Sequence, residues 1–321
     1  MTQTEQIVEK TQMDQMDPWL ASLLKARKMR AIQALDPATK QRFVKVRRTL
    51  LGINELVASG EEPEAVLAKL KTMEPELLGF ALEGVGMALA KQDIITPGEL
   101  NRVEAFVTGT SVAYQIMVFL GVGVLLATER LPLAPFITSY LEPFNPLRVW
   151  AIVDGYGFQS GMLHWQDYLY GQPRPEHFTG YMRRIFDQGL GRSIWLIDAG
   201  DVTHIQGTIA TFSPTRQPDL WCGVGYACSS IGGVQRETLE ALGTASRTYL
   251  PALAQGASCA AKFRRILGTP AAHVELADAI LSELAANAAR HTELVREELP
   301  NIGATPVESL WHNYRTYLIC N

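Results

Sequence analysis

Two acids stand beside glycine pairs in apolar surroundings: Asp154 in "VDGYGFQSG", residues 153–161, and Asp187 in "IFDQGLGRS", residues 185–193. An ionised carboxylate in such a setting is costly unless a cation or several donors partner it. Two outcomes are open. The acid pairs with a neighbouring cation and holds the fold, with Arg183, Arg184 and Arg192 at hand. Alternatively, burial raises its pKa and leaves a proton to donate. The second outcome is acid–base chemistry, with Asp154 and Asp187 as the acid and base and Arg192 and His164 as helpers.

The aromatic residues suggest where such a site lies. Thirteen of the 27 Phe, Tyr and Trp residues fall between Trp150 and Tyr226, a quarter of the chain. Core packing accounts for much of that density. It also suits a pocket for a hydrophobic, unsaturated ligand, since pocket walls are mostly apolar with few polar groups. Glu83, Tyr156, Phe158, Gln188, Trp195 and Tyr226 are the candidate substrate-binding residues.

Other chemistries find less support. His164 with Asp167, and Asp201 with His204, have the spacing that puts two ligands on one helix face. A dedicated helical site draws further carboxylates from other helices, usually with Glu-x-x-His pairs, and none accompanies these. Asp201 also reads as a helix N-cap. Neither a metal nor another cofactor is expected. The glycines do not form a dinucleotide fingerprint, which needs a strand before it and a third glycine in register. No local motif activates a serine or cysteine.

The elements that must position these residues emerge from the glycines. Gly-x-Gly pairs start at Gly84, Gly121, Gly155, Gly189 and Gly223, and a degenerate copy has Gly256. The steps are 37, 34, 34, 34 and 33 residues, a period typical of stacked supersecondary units. The flanking residues suit helices, and prolines such as Pro146, Pro173, Pro218 and Pro251 punctuate the intervals. About 34 residues has room for two antiparallel helices. Glycine inside a helix costs about 1 kcal/mol against alanine, a cost offset where a missing Cβ lets two backbones approach.

The fold expected is therefore all-α, built of repeated helical hairpins, as a tetratricopeptide-like superhelix or a closed α/α ring. "CGVGYA", residues 222–227, sets Gly and Tyr three apart as tetratricopeptide repeats do, but the Trp, Ala and Phe of that pattern are missing. The register lines up Glu83, Leu120, Asp154, Gln188, Cys222 and Gln255 before the first glycine. One turn later come Met87, Val124, Phe158, Arg192, Tyr226 and Cys259. If equivalent positions share a face, that face carries acids, amides, one arginine and aromatics.

Composition bounds the rest. The chain has 321 residues, 47% of them hydrophobic, with a net charge of −4. That is a globular composition without the basic face that nucleic acid demands. Residues 1–18 read as a polar tail without a secretory core, and residues 19–321 as one helical repeat domain. The four cysteines have no Cys-x-x-Cys spacing, which fits reduced thiols in a cytoplasm. Residues 105–128 carry no charge and are long enough to span a bilayer. "TGTS" and Gln115 interrupt them, so a buried core helix is the expectation and membrane insertion is not.

The strings "LLGFALEGVGMALA", "MVFLGVGVLLA", "DGYGFQSGMLH", "IFDQGLGRSIWLIDAGDV", "DLWCGVGYACSSIGG" and "LAQGASCAAK" occur in that order. Together they resemble the UnbL-like proteins of enediyne biosynthesis, over about residues 40–320, with "FDQGLGRS" the most specific string. The resemblance implies a bacterial protein that helps turn a linear polyene into an enediyne core. It assigns no catalytic residue. After "DGYGF" this chain reads "QSG" where typical members have an aromatic and an acid, which implies a different substrate. The expected function is natural-product biosynthesis on a long hydrophobic, polyene-type intermediate held in an aromatic-lined pocket. The alternative is a non-catalytic helical carrier or scaffold for biosynthetic partner proteins.

Overall fold

Paired glycines are tolerated in these helices because another backbone lies against each of them. In the computed structural model, the described residues are 37–96, 101–108, 110–133, 146–175, 178 and 180–291. The tail expected at residues 1–18 lies outside them. The described chain is all-α, with no strand among the described residues.

Six long helices carry the glycine copies: α3 (Leu78–Ile95), α5 (Val112–Thr128), α6 (Pro146–Leu163), α7 (Gly180–Ile197), α9 (Gln217–Ile231) and α11 (Leu250–Ile266). Ahead of them come α1 (Pro37–Ala58) and α2 (Pro63–Thr72). Between or after them lie α4 (Arg102–Val107), α8 (Val202–Ala210), α10 (Arg236–Ser246) and α12 (Ala272–His291). A π-helical turn, Gln166–Gly171, follows α6. One glycine interval therefore spans a long helix and its connector; among the described residues three connectors carry a shorter α-helix, α4, α8 and α10, and a fourth the π-helical turn.

Chain-terminating and chain-starting signals act where expected. Pro218 and Pro251 sit in the first turns of α9 and α11, where a missing N–H costs nothing. Asp201 caps α8 by accepting from the His204 N–H at 2.9 Å. Asn101 and Ser111 cap α4 and α5 in the same way. The charge-free stretch 105–128 is thus divided between two helices. Among the described residues no helix is long and apolar enough to cross a membrane.

The close packing runs between successive long helices in chain order. These helices are parallel, since starts meet starts and ends meet ends. Arg148 near the start of α6 donates to Gln115 near the start of α5 at 3.0 Å. Gln159 near the end of α6 donates to Thr128 at the end of α5 at 3.0 Å. The connectors, with their shorter helices, return the chain so that the next long helix starts at the same end.

The glycines set the height at which neighbours cross. A Cβ on Gly121 would lie 1.9 Å from the carbonyl oxygen of Glu83, and one on Gly189 would lie 2.1 Å from that of Asp154. The second glycine of each pair meets the following helix, as Gly157 meets the Phe186 carbonyl, 2.3 Å from its would-be Cβ. No side chain fits in such a gap. Because the same carbonyl is used each time, the residues just before each glycine pair come to one level.

Candidate functional site

That common level is where the polar side chains gather. Asp154 of α6 is buried, its Oδ2 accepting from Gln188 Nε2 of α7 at 3.0 Å. Its Oδ1 accepts from Arg192 Nη1, one turn further along α7. The Gln188 Oε1 in turn faces the Cys222 thiol of α9 at 3.8 Å. These four residues occupy equivalent or turn-related positions of successive copies.

Arg192 then reaches across the interior. Its Nη2 stands 3.6 Å from Glu83 Oε1 of α3. The guanidinium lies between two rings, 4.8 Å from the centroid of Phe158 and 5.3 Å from that of Tyr226. Such stacking on desolvated aromatic faces favours the cation. Burial by itself would lower the Arg192 pKa, but the Asp154 and Glu83 carboxylates outweigh it and hold the group above its ordinary range. Burial also pushes the Tyr226 phenol up, partly opposed by Arg192.

Glu83 is the exception in this cluster. It is only 4% exposed, yet among the described residues its carboxyl accepts no hydrogen bond, Arg192 at 3.6 Å being its nearest cation. Burial raises it to about 7; Arg192 opposes the rise and the Asp154 carboxylate adds to it. That places its titration near neutral pH, the range that suits a general acid or base.

Glu83 and Arg192 line a cavity of about 110 Å3. Met87, Val124, Phe158 and Arg192, equivalent positions of four successive copies, form one wall. The opposite wall is α1, whose Phe43, Val46, Arg47, Leu50 and Leu51 share one helical face. Sequence reasoning missed α1, since the glycine period begins only at Gly84. Its spacing of apolar residues at i, i+3, i+7 and i+8 was the available signal. The N-terminal half of α1 is tied down by Thr39 and Arg42, which donate to the Gly233 and Ile231 carbonyls, each at 2.6 Å. They thereby satisfy carbonyls that the end of α9 leaves open.

The structure thus brings together Glu83, Asp154, Phe158, Gln188, Arg192 and Tyr226. It does not bring in Asp187, His164, Tyr156 or Trp195. Asp187, wholly buried, points the other way, because one residue along a helix turns a side chain about 100° from Gln188. It is held by Arg216 at 2.6 Å and by Arg174. His164 follows α6 and faces Arg130 at 3.4 Å, its pKa lowered by burial and then by that cation. Tyr156 packs edge-on to Phe178 at 6.2 Å. Trp195 is buried against Gly200. No group of three or more His, Cys, Asp or Glu side chains able to hold a metal occurs among the described residues.

Fold and site together define an all-α protein with an acid–arginine–aromatic cluster at the edge of an apolar cavity. The chain belongs to the family described as "Protein of unknown function (DUF1702)", which its residues 20–318 match. No curated protein and no solved structure matches it.

Proposed function

We propose that this protein acts in natural-product biosynthesis, on a long apolar intermediate of which one part enters the cavity beside Glu83. The observation that carries the reading is a buried carboxyl without a hydrogen-bond partner among the described residues, on the wall of a mostly apolar space. A desolvated carboxyl of this kind is costly to the fold, and a ligand with a polar group would complete it. Glu83 takes the acid–base role that the sequence suggested for Asp154 and Asp187, since both of those are already saturated by arginines. The resemblance to the UnbL-like proteins supplies the chemical nature of the intermediate, a linear polyene, and a bacterial source as the setting.

A carrier without catalysis is the second reading. The small cavity favours it, for a volume of about 110 Å3 encloses part of a long molecule only, well below the roughly 300–1,000 Å3 of pockets that enclose a drug-sized ligand. The two readings separate in one experiment. Native mass spectrometry of the freshly purified full chain tests for a co-purified apolar compound, and pathway complementation with Glu83→Gln tests its conversion. An enzyme binds and loses product formation in the variant; a carrier binds and supports the pathway in both forms. A protein that retains no apolar compound in either form contradicts both readings.

A further inference from the structure

The polar groups of the cavity also say what kind of ligand end it accepts. Glu83 and Arg192 converge on it from α3 and α7, and neither is fully used. The Glu83 carboxyl is unpartnered among the described residues, while Arg192 spends Nη1 on Asp154 and leaves Nη2 3.6 Å from Glu83. A carboxyl with its proton and a guanidinium edge are both donors. The complementary ligand atom is an acceptor oxygen. About 110 Å3 has room for on the order of eight water-sized groups, which is a carbonyl or carboxyl with a few carbons. The remaining wall is mostly apolar, with Phe43 and Leu50 of α1, Met87 and Val124, and suits methylene or vinylene groups; Arg47, Gln159 and Ser230 also line it.

Resting on the reading of this cavity as a ligand site, we infer that it grips the acyl end of an apolar chain, the acyl oxygen accepting from the Glu83 carboxyl and the Arg192 guanidinium. The charged and titratable groups around Glu83 come from several elements: Arg192 of α7, Asp154 of α6, Tyr226 of α9, Arg264 of α11 and Arg47 of α1 across the cavity. A carboxylate ligand meets the Arg192 guanidinium, already paired with Asp154, with Arg47 across the cavity, and a Glu83 that carries its proton below neutrality. An ionised Glu83 repels the same ligand.

The test titrates the full chain with decanoic acid, methyl decanoate and decane, followed by calorimetry. The acid and the ester are expected to bind about ten-fold or more tighter than decane, the worth of one hydrogen bond to a charged group. Glu83→Leu should abolish that preference while still binding decane. In Glu83→Gln, whose amide still donates, decanoate binding should persist and lose its weakening above pH 7. Equal affinity for all three compounds in the wild type would overturn the acyl inference and leave the cavity as an apolar site. Binding of none of the three would overturn the site itself and the inference with it.

Discussion

Arg192 Nη2 stands 3.6 Å from Glu83 Oε1 although α4, α5 and α6 separate their helices in the chain. The contact exists because the glycine pairs bring successive long helices together at one level, and the stack bends until α7 faces α3. Arg192 is paired with Asp154 through Nη1 and stacked between rings, so it is a fixed cation. Glu83 is the member of the pair that can change its state.

The first prediction concerns that change. Glu83 has a folded pKa of about 7 against 4.5 for the free side chain. The folded state therefore binds an extra proton between those values, and stability falls as pH rises through that window. The stabilising share is fully present below 4.5 and gone above 7. The shift corresponds to about 3 kcal/mol. Glu83→Gln should be more stable than the wild type at pH 8, with the gap closing by pH 5, as read by urea denaturation. Parallel pH profiles for the two proteins would refute the assignment.

A second prediction separates the carboxylates. Asp187→Asn leaves buried arginine charge uncompensated and should cost about 3–5 kcal/mol, whereas Asp154→Asn leaves Arg192 with Glu83 at 3.6 Å and should cost less. Asp187→Asn strands Arg216, with Arg174 partly exposed beside it. Because Asp187 lies away from the cavity, its variant should bind ligand normally in the folded fraction. A thermal melt near the wild-type value would show that the arginines find other partners.

The glycines give a third. In Gly189→Ala the new Cβ would meet the Asp154 carbonyl at 2.1 Å and the Phe158 nitrogen at 2.8 Å, both backbone atoms. The helices must part, at a cost of about 1–3 kcal/mol or more. Gly207, inside α8 with nothing within 4 Å, is the control. There alanine should stabilise by up to about 1 kcal/mol. Similar effects at both positions would mean that the glycine pairs are not contact points.

Much of this arrangement was legible in the sequence, and the limits are physical. The helices and their packing glycines follow from the spacing of Gly84 to Gly256, and the shared face of Glu83, Phe158, Arg192 and Tyr226 follows from the same register. What was not legible is that the returning segments carry only short helices, six residues in α4 and nine in α8, because the spacing of glycines fixes where the long helices touch and not how the connector is built. Asp187 was misplaced because neighbouring helix positions point about 100° apart. Its partners Arg174 and Arg216 lie in connecting segments that carry no periodic signal. The cover formed by α1 precedes the repeat and shows only as an amphipathic face.

The most direct test of the central claim, that the cavity beside Glu83 is a ligand site, fills it. Ala227 lies on the cavity wall and is buried, so Ala227→Leu places three further carbons in the space. Binding of a linear conjugated polyene carboxylic acid is followed by its absorption spectrum, beside a thermal melt of each protein. The wild type should bind one molecule per chain, and the variant should fold and bind roughly ten-fold more weakly or not at all. Absence of binding by the wild type, or equal binding by both proteins, would contradict the claim.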